Sequence, residues 1–190
     1  MKALRSGALS VAWLLTPMAA YADECEKNAL AAQYTRMHQE DQALRGRYIK
    51  ILQAEHRKES VDPKEKERLE TGIVETDEAN QRALERLLER CGWPGTLDGN
   101  RAAFSAFLIV QHAPLDYQLK HFAMLEAANG RGEIPSDKFA WLVDRILVKQ
   151  GKPQRYGTEF EYGSNKVAPI ADPQNLNARR KAMGLAPMAQ

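Results

Sequence analysis

Apolar residues recur at Leu30, Tyr34, Met37, Leu44, Tyr48 and Ile51, a spacing that lays them along one face of a long helix over 26–57. The wide gap in that stripe is filled by Asp41, a charge where the pattern asks for an apolar side chain. Ser60 to Glu65 breaks the helix and restarts it: Asp62 can cap, Pro63 suits the first helical position, and Glu65 completes a box-like arrangement. A second helix runs from there to about residue 90 with a stripe of Leu69, Ile73, Leu84, Leu87 and Cys91, and its missing positions are again polar, Asp77 and Asn80. The two helices are expected to form an antiparallel hairpin about a turn near residue 60. That register sets Cys25 beside Cys91 and Asp41 level with positions 75 to 80, so one alignment accounts for both the cysteines and the polar defects.

Gly92-Trp93-Pro94-Gly95 reads as a turn. Residues 101–113 are apolar on every side, which marks a buried helix, and it closes in Gln111-His112-Ala113-Pro114. Further helices are predicted over 116–128, stopped by Asn129-Gly130, and from Ser136, taken as a cap, to Gly151, with Asp144-Arg145 interrupting an otherwise apolar surface. Tyr156, Thr158, Phe160 and Tyr162 then alternate with Gly157, Glu159 and Glu161 ahead of Gly163-Ser164-Asn165, the pattern of a short β-hairpin or extended flap. Asp172-Pro173 opens a last helix carrying Leu176, Arg180 and Met183, closed by Gly184. The expectation is a mainly α fold, an antiparallel helical hairpin packed on three or four further helices, with a short C-terminal β-hairpin or flap.

Residues 1–22 have a different character. Lys2 and Arg5 precede an apolar run from Ala8 to Ala20, and Ala20-Tyr21-Ala22 offers the small residues a signal peptidase accepts. The run is too short to span a bilayer of roughly 30 Å as a helix. Residues 1–22 are therefore read as a signal peptide cleaved after Ala22, and 23–190 as a single helical domain, exported and periplasmic or secreted, with no membrane span in the mature chain. The full chain has 27 basic and 25 acidic residues. Losing Lys2 and Arg5 with the leader balances the two, which excludes a bulk basic charge that recruits nucleic acid. In an oxidising compartment the two cysteines, Cys25 and Cys91, are expected to be joined.

Asp41, Asp77, Asn80, His112, Asp144, Arg145 and Arg180 all fall on or beside faces assigned to the core. Burying a charge costs several kcal/mol unless it is paired. These residues must neutralise one another, stay wet, or meet a ligand. The leading reading is a polar pocket between helices that binds a small molecule or an envelope partner. His112, Asp41 and Asp77 are its candidate catalytic groups, and Asn80, Gln111, Asp144, Arg145, Gln154, Tyr156 and Arg180 its candidate ligand contacts. A hydrolase with a carboxylate and His112 as acid–base pair and Arg145 as anion holder is one alternative; a purely structural envelope scaffold, its charges closed into a salt-bridge network, is the other. No phosphate loop, nucleophile elbow or His-Glu-x-x-His occurs. Asp41, Asp77 and His112 have no diagnostic metal spacing, and neither metal nor cofactor is assigned.

The motifs Gly92-Trp93-Pro94, Gln111-His112-Ala113, Asp144-Arg145, Gly151-Lys152-Pro153-Gln154-Arg155-Tyr156-Gly157-Thr158, Asp172-Pro173 and Arg180-Lys181-Ala182-Met183-Gly184-Leu185 stand in an order that resembles a widespread bacterial family, the domain of unknown function 6624. The resemblance spans about residues 28–188. It includes Asp41-Gln42-x-x-Arg45 and Asp77-x-x-Asn80 on the paired helices, and Glu159 stands where the family pattern has glutamine. It implies a helical domain and the same polar set, and names no substrate.

Overall fold

The computed structural model describes residues 25–161 and 163–189, so the proposed signal peptide lies outside the described residues. Helix α1 (Lys27–His56) begins where the Glu26 carboxylate accepts from the backbone N–H groups of Asn28 and Ala29. Its buried stripe is Leu30, Tyr34, Met37 and Asp41. Helix α2 (Pro63–Cys91) starts behind Asp62, which caps Lys64 N–H at 2.9 Å, and buries Leu69, Asn80, Leu84 and Leu87. Asn80 donates to the Met37 carbonyl, Tyr48 to Glu70 and Lys66 to Glu55, which fixes the antiparallel register along the whole hairpin. Gly72 faces Leu44 across the hairpin, where a Cβ would meet a Leu44 methyl at an ordinary contact distance of 3.5 Å. Cys25 and Cys91 are bonded across the open end, with Cα atoms 5.5 Å apart.

Helix α3 (Arg101–His112) lies against both helices of the hairpin and buries residues on most of its circumference, including Ala103, Phe107, Val110 and Gln111. Helices α4 (Leu115–Gly130) and α5 (Ser136–Lys149) cover its other side, and Phe107, Leu125, Ile134 and Leu142 join Tyr34, Leu84 and Leu87 in one core. Ser136 is the first residue of α5 and makes no capping bond; its hydroxyl accepts from Asn129. A short 3-10 turn (Pro173–Asn175) leads into α6 (Leu176–Ala182).

The segment between α5 and α6 corrects the expected β-hairpin. It is an irregular strap with isolated bridges at Gln154/Ile170 and Phe160/Val167, and no strand forms among the described residues. The reason is where its backbone donors go. Asp144, fully buried on α5, accepts from the N–H groups of Arg155, Tyr156 and Thr158 at 2.7–3.1 Å and from the Thr158 hydroxyl at 2.9 Å. Gln154, also fully buried, takes the Glu159 N–H on Oε1 and gives Nε2 to the carbonyls of Glu159 and Ala168. Donors that a ladder would use are already spent on side chains. Gly157 is required here: at φ +69° a Cβ would lie 2.7 Å from Met188 Sδ and 3.2 Å from Ile170 Cδ1.

Asp144→Ala leaves three buried or half-buried N–H groups without their acceptor and is expected to cost about 3–5 kcal/mol. Urea denaturation with an unchanged slope checks this; a loss below about 1 kcal/mol would show that the strap is held by other contacts.

Candidate functional site

The stripe of α1 delivers Asp41 into the contact between α1, α2 and α3, where only 3% of its surface remains exposed. A carboxylate there needs donors. Gln42 Nε2 supplies one to Oδ2 at 2.6 Å; Arg45 Nε, one turn on along α1, and His112 Nδ1, at the end of α3, reach Oδ1 at 2.8 and 2.9 Å. Arg45 then turns its Nη2 onto both oxygens of Asp77 on α2, at 2.5 and 2.6 Å. Two carboxylates, a guanidinium and an imidazole thus form one chain from the core outward.

His112 and Asp77 line an open cleft of about 330 Å³ together with Val74, Gln81, Pro114 and Lys149. Asp41 lies behind His112, not in the cleft wall. Among the described residues no side chain bonds His112 Nε2, so the ring is anchored by one nitrogen and presents the other. The Lys149 ammonium leans on the Ala113 carbonyl at 3.3 Å and on Gln118 Oε1 at 3.5 Å. Burial pushes the Asp41 carboxyl up, but the hydrogen bonds and charges of His112 and Arg45 outweigh it and hold the group at about 2. At Asp77 the balance falls the other way: burial raises it above the ordinary carboxylate value and Arg45 offsets this only in part.

The residues expected from the sequence separate into two places. Asp41, Asp77, Asn80 and His112 come together, although Asn80 spends its amide on the Met37 carbonyl. Gln111 is buried next to His112 with an Oε1 that has no partner among the described residues. Asp144, Gln154, Tyr156 and Arg180 belong to the strap: Arg180 ties the carbonyls of Tyr156 and Ala186, and Tyr156 gives its N–H to Asp144. Arg145 is turned toward that strap, with Nε and Nη2 each 3.2 Å from Glu159 Oε1 and Nη1 on the Gln111 carbonyl. Lys149 and Arg45 were not among the expected site residues. Arg45 had a signal, its position four residues after Asp41 on one helix face; Lys149 in the last turn of α5 reads from sequence as an ordinary dipole-complementing cation.

Asp41, Asp77 and His112 bring ligand atoms within 4.8 Å of one another, a donor set that suits a divalent cation in number and type. Each of the four carboxylate oxygens already accepts from Arg45, Gln42 or His112. A metal would have to displace the guanidinium that neutralises both acids, so the residues fit a charge-compensated network better than a metal centre.

Asp41 titrates lower when folded than when unfolded, so it stabilises the fold above about pH 4, and that contribution disappears as pH falls from about 4 toward 2. The stability gap between the wild type and Asp41→Asn should be widest near pH 6 and narrow by roughly 2 kcal/mol at pH 2. Denaturation midpoints across this range measure it, and a gap independent of pH would refute the assignment.

No curated protein and no solved structure matches the chain. Residues 28–190 match the model of a family of unknown function, DUF6624, and the chain belongs to that family.

Proposed function

We propose that this protein binds a small molecule in the cleft between α2, the end of α3 and α5, with His112 as the central contact. The observation that carries the reading is that His112 and Asp77 share one open cleft while Asp41, the group that orients the imidazole, lies buried behind it. A closed scaffold network would leave neither group facing solvent. The cleft volume is at the lower end of the range for small-molecule sites. Asp41 retains Arg45 and Gln42 without His112, so the imidazole is not required to satisfy the buried charge.

Hydrolysis is the second reading, favoured by the same Asp41–His112 contact. A carboxylate accepting Nδ1–H leaves Nε2 as a proton acceptor, the geometry of a general base. The cleft wall has no serine, threonine or cysteine, so the base would act on water.

Export is part of the proposal. The joined cysteines are compatible with an oxidising compartment, and no helix among the described residues is long and apolar enough to cross a membrane.

His112→Ala is expected to cost within roughly 1 kcal/mol, because it strands no charge, whereas Arg45→Ala uncovers two carboxylates and should cost about 3–5 kcal/mol. Native mass spectrometry of protein purified from its own cells should find a small molecule retained by the wild type and lost from folded His112→Ala. Equal retention by both would sink the reading, and a fall of at least about 100-fold in hydrolysis of an ester panel would favour the second. Intact-mass measurement of the exported protein should give a chain beginning at Asp23; a retained Met1 would refute cleavage after Ala22.

A further inference from the structure

We propose that the His112 cleft takes an uncharged ligand whose polar group donates and accepts hydrogen bonds at once, a hydroxyl or an amide, carried on an apolar body. This rests on the reading of the cleft as a ligand site and adds the chemical class.

Charge around the cleft cancels. Asp41 and Asp77 share the Arg45 guanidinium, which leaves one negative charge uncompensated between them, and the Lys149 ammonium in the cleft wall supplies the matching positive one. Glu78 on the lip pairs with Arg82, and Arg145 with Glu159. An anion would satisfy Lys149 only by leaving the two carboxylates in excess, and a cation drawn to Asp77 would face both Arg45 and Lys149. Either ion gives up hydration with no net counter-charge to receive it.

The hydrogen-bonding groups narrow the class further. An ionised carboxylate only accepts, so the contact with Asp41 places the hydrogen of the neutral imidazole on His112 Nδ1 and leaves Nε2 facing the cleft as an acceptor. Lys149 faces it as a donor: two of its hydrogens go to the Ala113 carbonyl and Gln118 Oε1, and the third has no acceptor among the described residues. Ala113 directly follows His112, so the bond to its carbonyl holds the ammonium near the imidazole. A carboxylate has no hydrogen to give Nε2, and an ammonium has no lone pair to give Lys149. A hydroxyl or an amide serves both without charge. Beside this pair the wall is apolar: Val74, 57% exposed, lines the cleft with Pro114. Removing a large apolar side chain from water favours hydrocarbon on the body of the ligand.

Two-dimensional NMR of the isotope-labelled mature chain tests this with probes built on one cyclopentane ring: the alcohol, the carboxamide, the carboxylate, the ammonium and the methyl ether. The ring nitrogen shifts of His112 near neutral pH should first report a neutral imidazole with its hydrogen on Nδ1; a charged ring, or a hydrogen on Nε2, would overturn the proposal. The alcohol and the carboxamide should then shift the His112 ring and Ala113 amide signals saturably. Both should bind about tenfold or more tightly than the carboxylate, the ammonium and the ether, which accepts but cannot donate. Whichever of the two binds more tightly identifies the polar group. His112→Phe, which keeps a ring and removes the acceptor, and Lys149→Met should each weaken the alcohol about tenfold, and Lys50→Gln, at an exposed position of α1, should change nothing. A carboxylate, ammonium or ether that binds as tightly as the alcohol and the carboxamide would overturn the uncharged class while leaving the cleft as a ligand site. Silence of the cleft signals toward every probe would overturn both readings. The probe series needs only the wild type, so the proposal stays falsifiable even if a variant fails to fold.

Discussion

The buried carboxylate of Asp41 is the constraint around which the site is organised. An uncompensated charge in that position would cost several kcal/mol, comparable with much of a domain's net stability. It is compensated by donors from two helices, Gln42 and Arg45 on its own and His112 on α3, and Arg45 carries the compensation on to Asp77 of α2. One charge therefore links side chains of three helices. The orientation of His112 follows from this arrangement: its Nδ1 is committed to the core, and the opposite edge of the ring is what the cleft receives.

A second buried acid shows what decides between structure and chemistry. Asp144 is as buried as Asp41, yet its oxygens accept from backbone N–H groups of the strap and from the Thr158 hydroxyl. These donors hold no mobile charge and lead nowhere, so Asp144 acts as a pin that folds residues 154–158 onto α5. Gln154 and Arg180 extend the same pinning to Ala168 and Ala186. The donors of Asp41 are side chains with ionisable or open far ends, and through them the core is linked to solvent.

The strap also shapes the cleft at a distance. Glu159 captures Arg145, and this leaves Lys149, one turn further along α5, as the cation whose partners are neutral oxygens. An acid at position 159 thus determines which of two basic residues on one helix face is held in an ion pair. The disulfide acts at the open end of the hairpin, tying Cys25 to the last residue of α2, and so restricts the unfolded chain without touching the site midway along the helices.

Much of this was legible in the sequence because helical periodicity is local. The stripes of α1 and α2, the Asp62-Pro63 restart and the all-round apolar α3 follow from side-chain spacing alone. The polar defects at Asp41, Asp77 and Asn80, taken with the two cysteines, also place the hairpin in register. His112 was visible for the same reason, as a polar end to a core helix. What periodicity could not decide was the destination of donors separated by ten residues or more. The alternation of Tyr156, Thr158 and Phe160 reads as a strand, but the hydrogen bonds that would build a ladder go to Asp144 and Gln154. Arg145 and Lys149 share a helix face and a charge; only the tertiary position of Glu159, fourteen residues beyond Arg145, separates them. Secondary structure depends on neighbours within a turn or two and can be read along the chain, whereas the pairing of buried charges depends on which acceptor arrives in space, and that was settled only when the strap folded back.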